Sequence, residues 1–304
     1  MLKKLLTAAI FLGFIGFGIF WWLTAPNTLS AATLAGLPDG DAKTGEQVFW
    51  AGGCASCHSA PKATGDAKLV LAGGHEFPTP FGTFRAPNLS PDPEQGIGSW
   101  SKADFANAMK RGISPKGEHY YPAFPFTTYA RMTDKDVADL WAFMQTLPKS
   151  SNVVATHDVG FPFNIRRGLG MWKLLYLNDR PVLPVNDDPV LARGQYLVEA
   201  LAHCGECHTP RNPIGGMDTS RWLAGAVSPD GKERIPNITP HKDGIGSWSE
   251  KDIAYSLETG FTPDFDSFGS NMADVVENMT KLPKSDLEAI TTYLKKVEPV
   301  GKAN

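Results

Sequence analysis

The sequence predicts an all-α protein in which two small helical domains follow one another behind an N-terminal membrane-spanning helix. Three observations lead there. A set of short motifs recurs after about 150 residues. The segments around each copy carry helix caps and apolar residues at helical spacing. An uncharged apolar stretch opens the chain. The 304 residues suit about two domains of ordinary size, and a composition of 42% hydrophobic and 20% charged residues is that of a folded chain. The formal net charge of -3, with no run of like charges, gives no sign of a nucleic-acid partner or of an anionic-membrane patch.

Taken in order, Lys3 and Lys4 precede an uncharged stretch from Leu5 to Leu23. As a helix it would be roughly 28 Å long, nearly the thickness of a bilayer core. Trp21 and Trp22 suit the far interface, and the lysines predict a cytoplasmic N-terminus. The competing reading is a cleaved signal peptide, whose apolar region runs only about 7 to 15 residues. Either reading exports the remainder, so the expected place is the outer, periplasmic face of a cytoplasmic membrane. Residues 1–25 are read as anchor and 26–40 as linker.

The repeat then sets the architecture. Pro87-Asn88-Leu89-Ser90-Pro91 and Gly96-Ile97-Gly98-Ser99-Trp100-Ser101 return as Pro236-Asn237-Ile238-Thr239-Pro240 and Gly244-Ile245-Gly246-Ser247-Trp248-Ser249. Arg85 and Arg234 precede the Pro-Asn pair in both copies. Ser101 with Asp104, and Ser249 with Asp252, read as N-caps with an acid three residues on; the helices they start stop at Gly112 and Gly260. A closing helix begins at Thr133-Asp134 in one copy and at Ser285-Asp286 in the other, and a short helix containing Val48 and Phe49, or Tyr196 and Leu197, precedes each copy. Few stretches look like strands. The domains are placed at 41–148 and 189–298, with a connector at 149–188 containing a short helix from Ile165 to Tyr176. Phe161, Phe163, Met171, Trp172 and Tyr176 make that connector too apolar for a free linker, so it is expected to pack across the domains or against a partner.

All four cysteines belong to two copies of one motif, Cys54-Ala55-Ser56-Cys57-His58 and Cys204-Gly205-Glu206-Cys207-His208. In CxxCH both thiols bond covalently to the haem vinyl groups and the adjacent histidine ligates the iron. Two such motifs imply two covalently bound haem c groups, attached at Cys54, Cys57, Cys204 and Cys207 and ligated by His58 and His208. For the sixth position of the second haem the candidate is Met272, after the loop-like Gly269-Ser270-Asn271, while Met279 reads as core. The repeat fails at the first haem, because the position equivalent to Met272 is Phe124. Met132 is the nearest replacement, His119 its rival, and Met109 reads as helix core. Arg85, Trp100, Arg234 and Trp248 are placed against haem propionates, since a guanidinium and an indole N–H both donate to carboxylates. Pro210 is assigned the carbonyl that accepts the Nδ1 proton of His208, with Pro61 a weaker counterpart. His75, His157, His203 and His241 are read as loop or surface residues.

At these residues the chain resembles the cytochrome c subunits of membrane-bound bacterial alcohol and gluconate dehydrogenases. The resemblance rests on Gly194 through Glu199, His203 through Asn212, Tyr121 through Phe126 and Met132-Thr133-Asp134, and covers nearly everything after the anchor. It implies tandem class I cytochrome c-like domains and no catalytic residues. Electrons would come from a dehydrogenase catalytic subunit and pass to quinone, to another cytochrome or to an oxidase. It also puts Met132 and Met272 on methionines of the family's pattern. Proteins of that kind commonly carry three haems, whereas this chain shows two motifs. A dihaem peroxidase, which needs one open iron position, and an anchored assembly module are the alternative functions.

Overall fold

The computed structural model describes residues 1–185 and 187–301. Helix α1 spans Leu2–Leu23, with none of its residues buried. A short α2 (Ala31–Ala35) follows, and then the first half of the body: α3 (Ala42–Ala51), α4 (Cys54–His58), α5 (Lys102–Arg111), α6 (Phe126–Tyr129) and α7 (Asp134–Met144). The connector contains a 3-10 turn at Arg166–Gly168 that runs into α8 (Leu169–Tyr176). The second half repeats the plan with α9 (Pro189–Tyr196), α10 (Cys204–His208), α11 (Glu250–Thr259), α12 (Asn271–Met279) and α13 (Lys284–Lys296).

Each half is closed by one helix pair crossing at a glycine. A Cβ on Gly45 of α3 would lie 1.9 Å from the Asp139 carbonyl oxygen of α7, and one on Gly194 of α9 would lie 1.9 Å from that of Ala289 on α13. Only glycine permits so close an approach. The core builds outward from those crossings: Val48, Phe49, Val137, Leu140 and Met144 in the first half, and Leu197, Leu201, Leu287, Ile290 and Tyr293 in the second, all buried. The Ser101/Asp104 and Ser249/Asp252 capping boxes are both formed, and Gly112 and Gly260 end their helices in the left-handed conformation.

Four expectations need correction. The chain is not purely helical. Strands β1 (Glu76–Thr79) and β2 (Gly82–Arg85) form a hairpin that β3 (Asp158–Val159) extends, and β4 (Ala226–Val227) pairs with β5 (Arg234–Ile235), all antiparallel. They are too short for alternation to show in the sequence. Residues 26–40 do not hang free: Leu29 and Leu37 are buried, the Leu29 N–H donates to Asn107 Oδ1 of α5 at 2.8 Å, and Lys102 Nζ donates to the Pro38 carbonyl at 2.7 Å. The last helix starts one residue before Ser285, at Lys284, with Pro283 as its N-cap residue. Asn271, read as the end of a loop, is the first residue of α12, so Met272 is that helix's second residue.

One irregularity follows from counting. Cys54 is the ninth residue after Gly45, whereas Cys204 is the tenth after Gly194. The extra residue is absorbed in a π-helical turn, Leu197–Leu201, which keeps both the glycine crossing and the cysteine motif in place.

Candidate haem centres

Each CxxCH motif forms a single helical turn, entered through a left-handed residue: Gly53 at φ 61 before Cys54, and His203 at φ 43 before Cys204. The turn places both thiols of a pair on one side, and all four are free rather than disulfide-bonded.

The histidines are oriented identically. His58 donates from Nδ1 to the Pro87 carbonyl at 2.9 Å, and His208 to that of Pro236 at 2.8 Å. This overturns the assignment of Pro210 and Pro61: the acceptor is the proline of the repeated Pro-Asn motif, brought back from far along the chain. Burial lowers both imidazoles, His58 to about 4, so each is neutral with Nε2 left to ligate a metal. The asparagine beside each proline holds that loop down. Asn88 Nδ2 donates to the Ser150 carbonyl at 2.7 Å and Asn237 Nδ2 to that of Val300 at 2.6 Å, just beyond the closing helices. Paired free thiols and a fixed, neutral, singly committed imidazole are a donor set that fits covalent haem at both motifs.

The remaining candidates are placed unevenly. Met132 is buried in the first half, between α6 and α7, whereas Met272 is half-buried. Met109 and Met279 are buried core residues, as expected. His119 is buried too; its Nε2 donates to the Thr24 carbonyl at the end of α1, and its Nδ1 has no partner among the described residues. Trp100 and Trp248 occupy equivalent turns, their backbone N–H groups donating to the Ile97 and Ile245 carbonyls, and neither indole N–H has a partner among the described residues. Arg85 and Arg234 differ: Arg85 pairs with Glu76 at 2.8 Å and donates to the Thr156 carbonyl, while Arg234 is exposed in β5.

His203, His157 and His75 lie outside helices and strands, as read, and each is half-buried. His203 donates from Nε2 to the Gly52 carbonyl at 3.2 Å, His157 accepts the Arg85 N–H at 3.1 Å within a ring cluster of Phe84 and Tyr121, and His75 has a buried Nε2 without a protein partner. His241, hydrogen-bonded within its own loop to the Asp243 N–H, fits its reading.

The two motifs also meet, which no local sequence signal reveals. Tyr129 and His203 both donate to the Gly52 carbonyl, and their rings are 5.7 Å apart. Asn278 of α12 donates to Ser56 Oγ inside the first motif at 2.7 Å. Thr128 donates to Glu206 inside the second. Burial would raise the Glu206 carboxyl, but Arg211 and Thr128 hold it below its ordinary value and keep it ionised. Cys57 and Cys207, one from each motif and both exposed, lie close enough for their charges to oppose one another. Lys68, buried near the first motif, donates to Asp274 at 3.0 Å and Glu277 at 2.7 Å on α12.

Comparison with known proteins agrees with this geometry. The cytochrome c family profile matches residues 42–148. A diheme cytochrome c-type protein of Cereibacter sphaeroides is 52% identical over 299 residues, covering 98% of this chain and 100% of that protein. The fructose dehydrogenase cytochrome subunit of Gluconobacter japonicus is 39% identical, covering 83% of this chain and 52% of that subunit. The gluconate 2-dehydrogenase cytochrome c subunit of Pantoea cypripedii is 36% identical, covering 88% and 63% respectively. The chain therefore spans the whole of the first relative and between about half and two thirds of the other two. With two fitted motifs and these relatives, the chain belongs to the dihaem c-type cytochromes and carries two covalently bound haem c groups.

Proposed function

We propose that this chain is a membrane-tethered electron carrier built of two cytochrome c domains, 41–148 and 189–298, joined by the connector 149–188. It accepts electrons from the catalytic subunit of a dehydrogenase and passes them towards the respiratory chain, to quinone, a cytochrome or an oxidase. It has no substrate chemistry of its own. When bound, haem supplies a one-electron iron couple; the protein's part is to attach, ligate, bury and dock it. Cys54, Cys57, Cys204 and Cys207 are the attachment points, and His58 with Met132 and His208 with Met272 the axial pairs. Arg85, Trp100, Arg234 and Trp248 lie against propionates, the two free indole N–H groups being the clearer donors. A dehydrogenase as donor is supported by the relatives named as cytochrome subunits of such enzymes.

The observation that carries this reading is the meeting of the two CxxCH turns across Gly52, His203 and Tyr129. It suits transfer from one haem to the other within the chain. The membrane placement is supported by α1 and by Thr24, at its outer end, which is wholly buried between His119 of the first half and Arg167 and Gly170 of the connector. A cleaved leader would leave that seat empty. With Lys3 and Lys4 inside, the single span puts both haem domains on the periplasmic side of the cytoplasmic membrane.

The test is a redox titration followed by absorption and electron paramagnetic resonance, on the parent and on Met132→Ala. Two low-spin haems, with one transition displaced by the substitution, are the expected result. A high-spin haem in the parent that Met132→Ala leaves unchanged would refute the Met132 assignment and with it the simple carrier.

A further inference from the structure

Outside the haem centres, the connector presents an apolar face that the electron-transfer reading does not use. Its inner side is fully engaged. Trp172 packs on Phe126 of the first half and donates to the Ile214 carbonyl of the second at 2.9 Å. Tyr176 accepts from Asn212, and Lys173 donates to the Arg111 and Gly112 carbonyls at the end of α5. On the other side of α8 Leu174 is 58% exposed and Leu175 67%, with Met171 also exposed; in the stretch just before it Phe161 is 81% exposed and Ile165 is exposed, while Phe163 packs on Phe81.

The outer side adjoins the end of α1. Gly170 lies on Thr24 so closely that a Cβ there would be 2.6 Å from the Thr24 backbone. Arg167 donates from Nε to Thr24 Oγ1 at 2.9 Å and from its terminal nitrogen to the Trp21 carbonyl, and its guanidinium lies 4.1 Å from the Trp21 ring centre. At about 100° per residue, Leu174, Met171 and Leu175 fill the sector of α8 that starts at the Gly170 side, with Trp172, Lys173 and Tyr176 on the opposite side. The exposed apolar sector is thus continuous with the anchor contact, at the level of the tryptophans that end the span. No acidic residue occurs from 160 to 178, so nothing on this stretch resists leaving bulk water through a carboxylate.

From this geometry we infer that residues 161–175 form a second membrane attachment, lying in the interface of the bilayer that α1 spans, with Phe161, Leu174 and Leu175 turned into the acyl boundary. Lipid is the occupant because the patch continues from a transmembrane helix through Thr24 and Trp21, and amphipathic helices of this kind bind at that depth. Two attachment points remove free rotation about α1. Since Trp172, Tyr176 and Lys173 grip both halves, the orientation of α8 becomes the orientation of the two haem motifs relative to the membrane.

The inference rests on α1 being retained as an anchor, and the experiment separates the two. Leu175→Cys and, as a control on the loop between α11 and α12, Phe265→Cys are made in the full-length holoprotein, whose native cysteines are consumed as thioethers. Each is labelled with a nitroxide and reconstituted in phosphatidylethanolamine/phosphatidylglycerol vesicles, and collision with oxygen and with a water-soluble nickel chelate is measured by power saturation. The expected result is a Leu175 label at least about fivefold less accessible to nickel than the Phe265 label, and more accessible to oxygen. Equal nickel accessibility in protein whose intact mass retains residues 1–25 overturns the inference while leaving the anchor standing. Loss of those residues in the mass measurement overturns the anchor itself. A Leu175 label that is wet in vesicles of the pure chain and dry only when a co-purifying protein is present also overturns it, by assigning the face to a protein.

Discussion

Replacing Glu199 by alanine tests what holds the second haem motif to the connector. Glu199 is buried in the π-helical turn before Cys204, and its carboxylate collects four donors. These are the Val182 N–H at 2.6 Å, the Leu183 N–H at 3.2 Å, Gln195 Nε2 at 3.1 Å and the Tyr293 hydroxyl at 2.7 Å. Tyr293 in turn accepts from Trp222 Nε1 at 3.1 Å. Truncation leaves these donors facing a hole. A buried donor left unpaired costs about 1 to 3 kcal/mol, so losing the acceptor that four of them share is expected to cost about 3 to 5 kcal/mol, the upper end applying if water does not fill the gap. For a cooperative unit of about 150 to 250 residues, which the two packed halves approach, about 1 kcal/mol displaces Tm by roughly 2 to 4 °C, so Glu199→Ala is expected to melt about 6 to 20 °C below the parent. Glu199→Gln keeps the shape and one oxygen but turns an N–H towards a donor, and is expected to fall between. Thermal unfolding followed by near-ultraviolet circular dichroism, with haem content measured on the same samples, gives the answer. An alanine variant with full haem content that melts within about 2 °C of the parent would refute the reasoning.

Three further outcomes follow from the packing. Gly194→Ala forces a methyl onto the Ala289 carbonyl oxygen, which belongs to backbone and cannot swing aside, so a loss of about 3 kcal/mol or more is expected, read as a lower Tm and reduced haem incorporation; Gly194→Ala behaving like the parent would contradict the crossing. Lys68→Met removes the partner of Asp274 and Glu277, both roughly half-exposed, and is expected to weaken the docking of α12 by about 1 to 2 kcal/mol. That corresponds to exchange of α12 amides about 5 to 30 times faster, and unchanged exchange would place the restraint elsewhere. Burial draws Lys173 from its ordinary 10.5 down to about 7. Between those pH values the unfolded chain binds more protons than the folded one, so this group makes stability rise with pH across the window and fall again as pH approaches 7. Lys173→Met should flatten that rise in Tm between pH 7 and 9, by at most about 1.4 kcal/mol per unit; parallel pH profiles for variant and parent would count against it.

How much of this was legible in the sequence depends on the range over which each signal acts. The capping boxes at Ser101 and Ser249, the stops at Gly112 and Gly260, the connector helix ending at Tyr176 and the CxxCH turns are decided by neighbours within a few residues, and all were readable. The sequence also paired the Pro-Asn repeats, without saying what they are for. Their purpose appears only when Pro87 and Pro236 fold back to orient His58 and His208; nearness in sequence pointed instead to Pro61 and Pro210. His203 lies in a loop, as read, but nothing near it in sequence points to its partners, Gly52 and Tyr129, which belong to the other half.

By itself, then, the sequence determined the two attachment motifs, the repeat, the helices that frame it and the apolar span at the start, because each is encoded in spacing along the chain. Only the tertiary structure decided that Thr24 seats the span against His119 and Arg167, that Glu199 ties the connector to α13, and that the two CxxCH turns meet across Gly52. Those are contacts between residues distant in sequence, fixed by how closely the glycine crossings let the helices approach and by which buried polar groups must find partners.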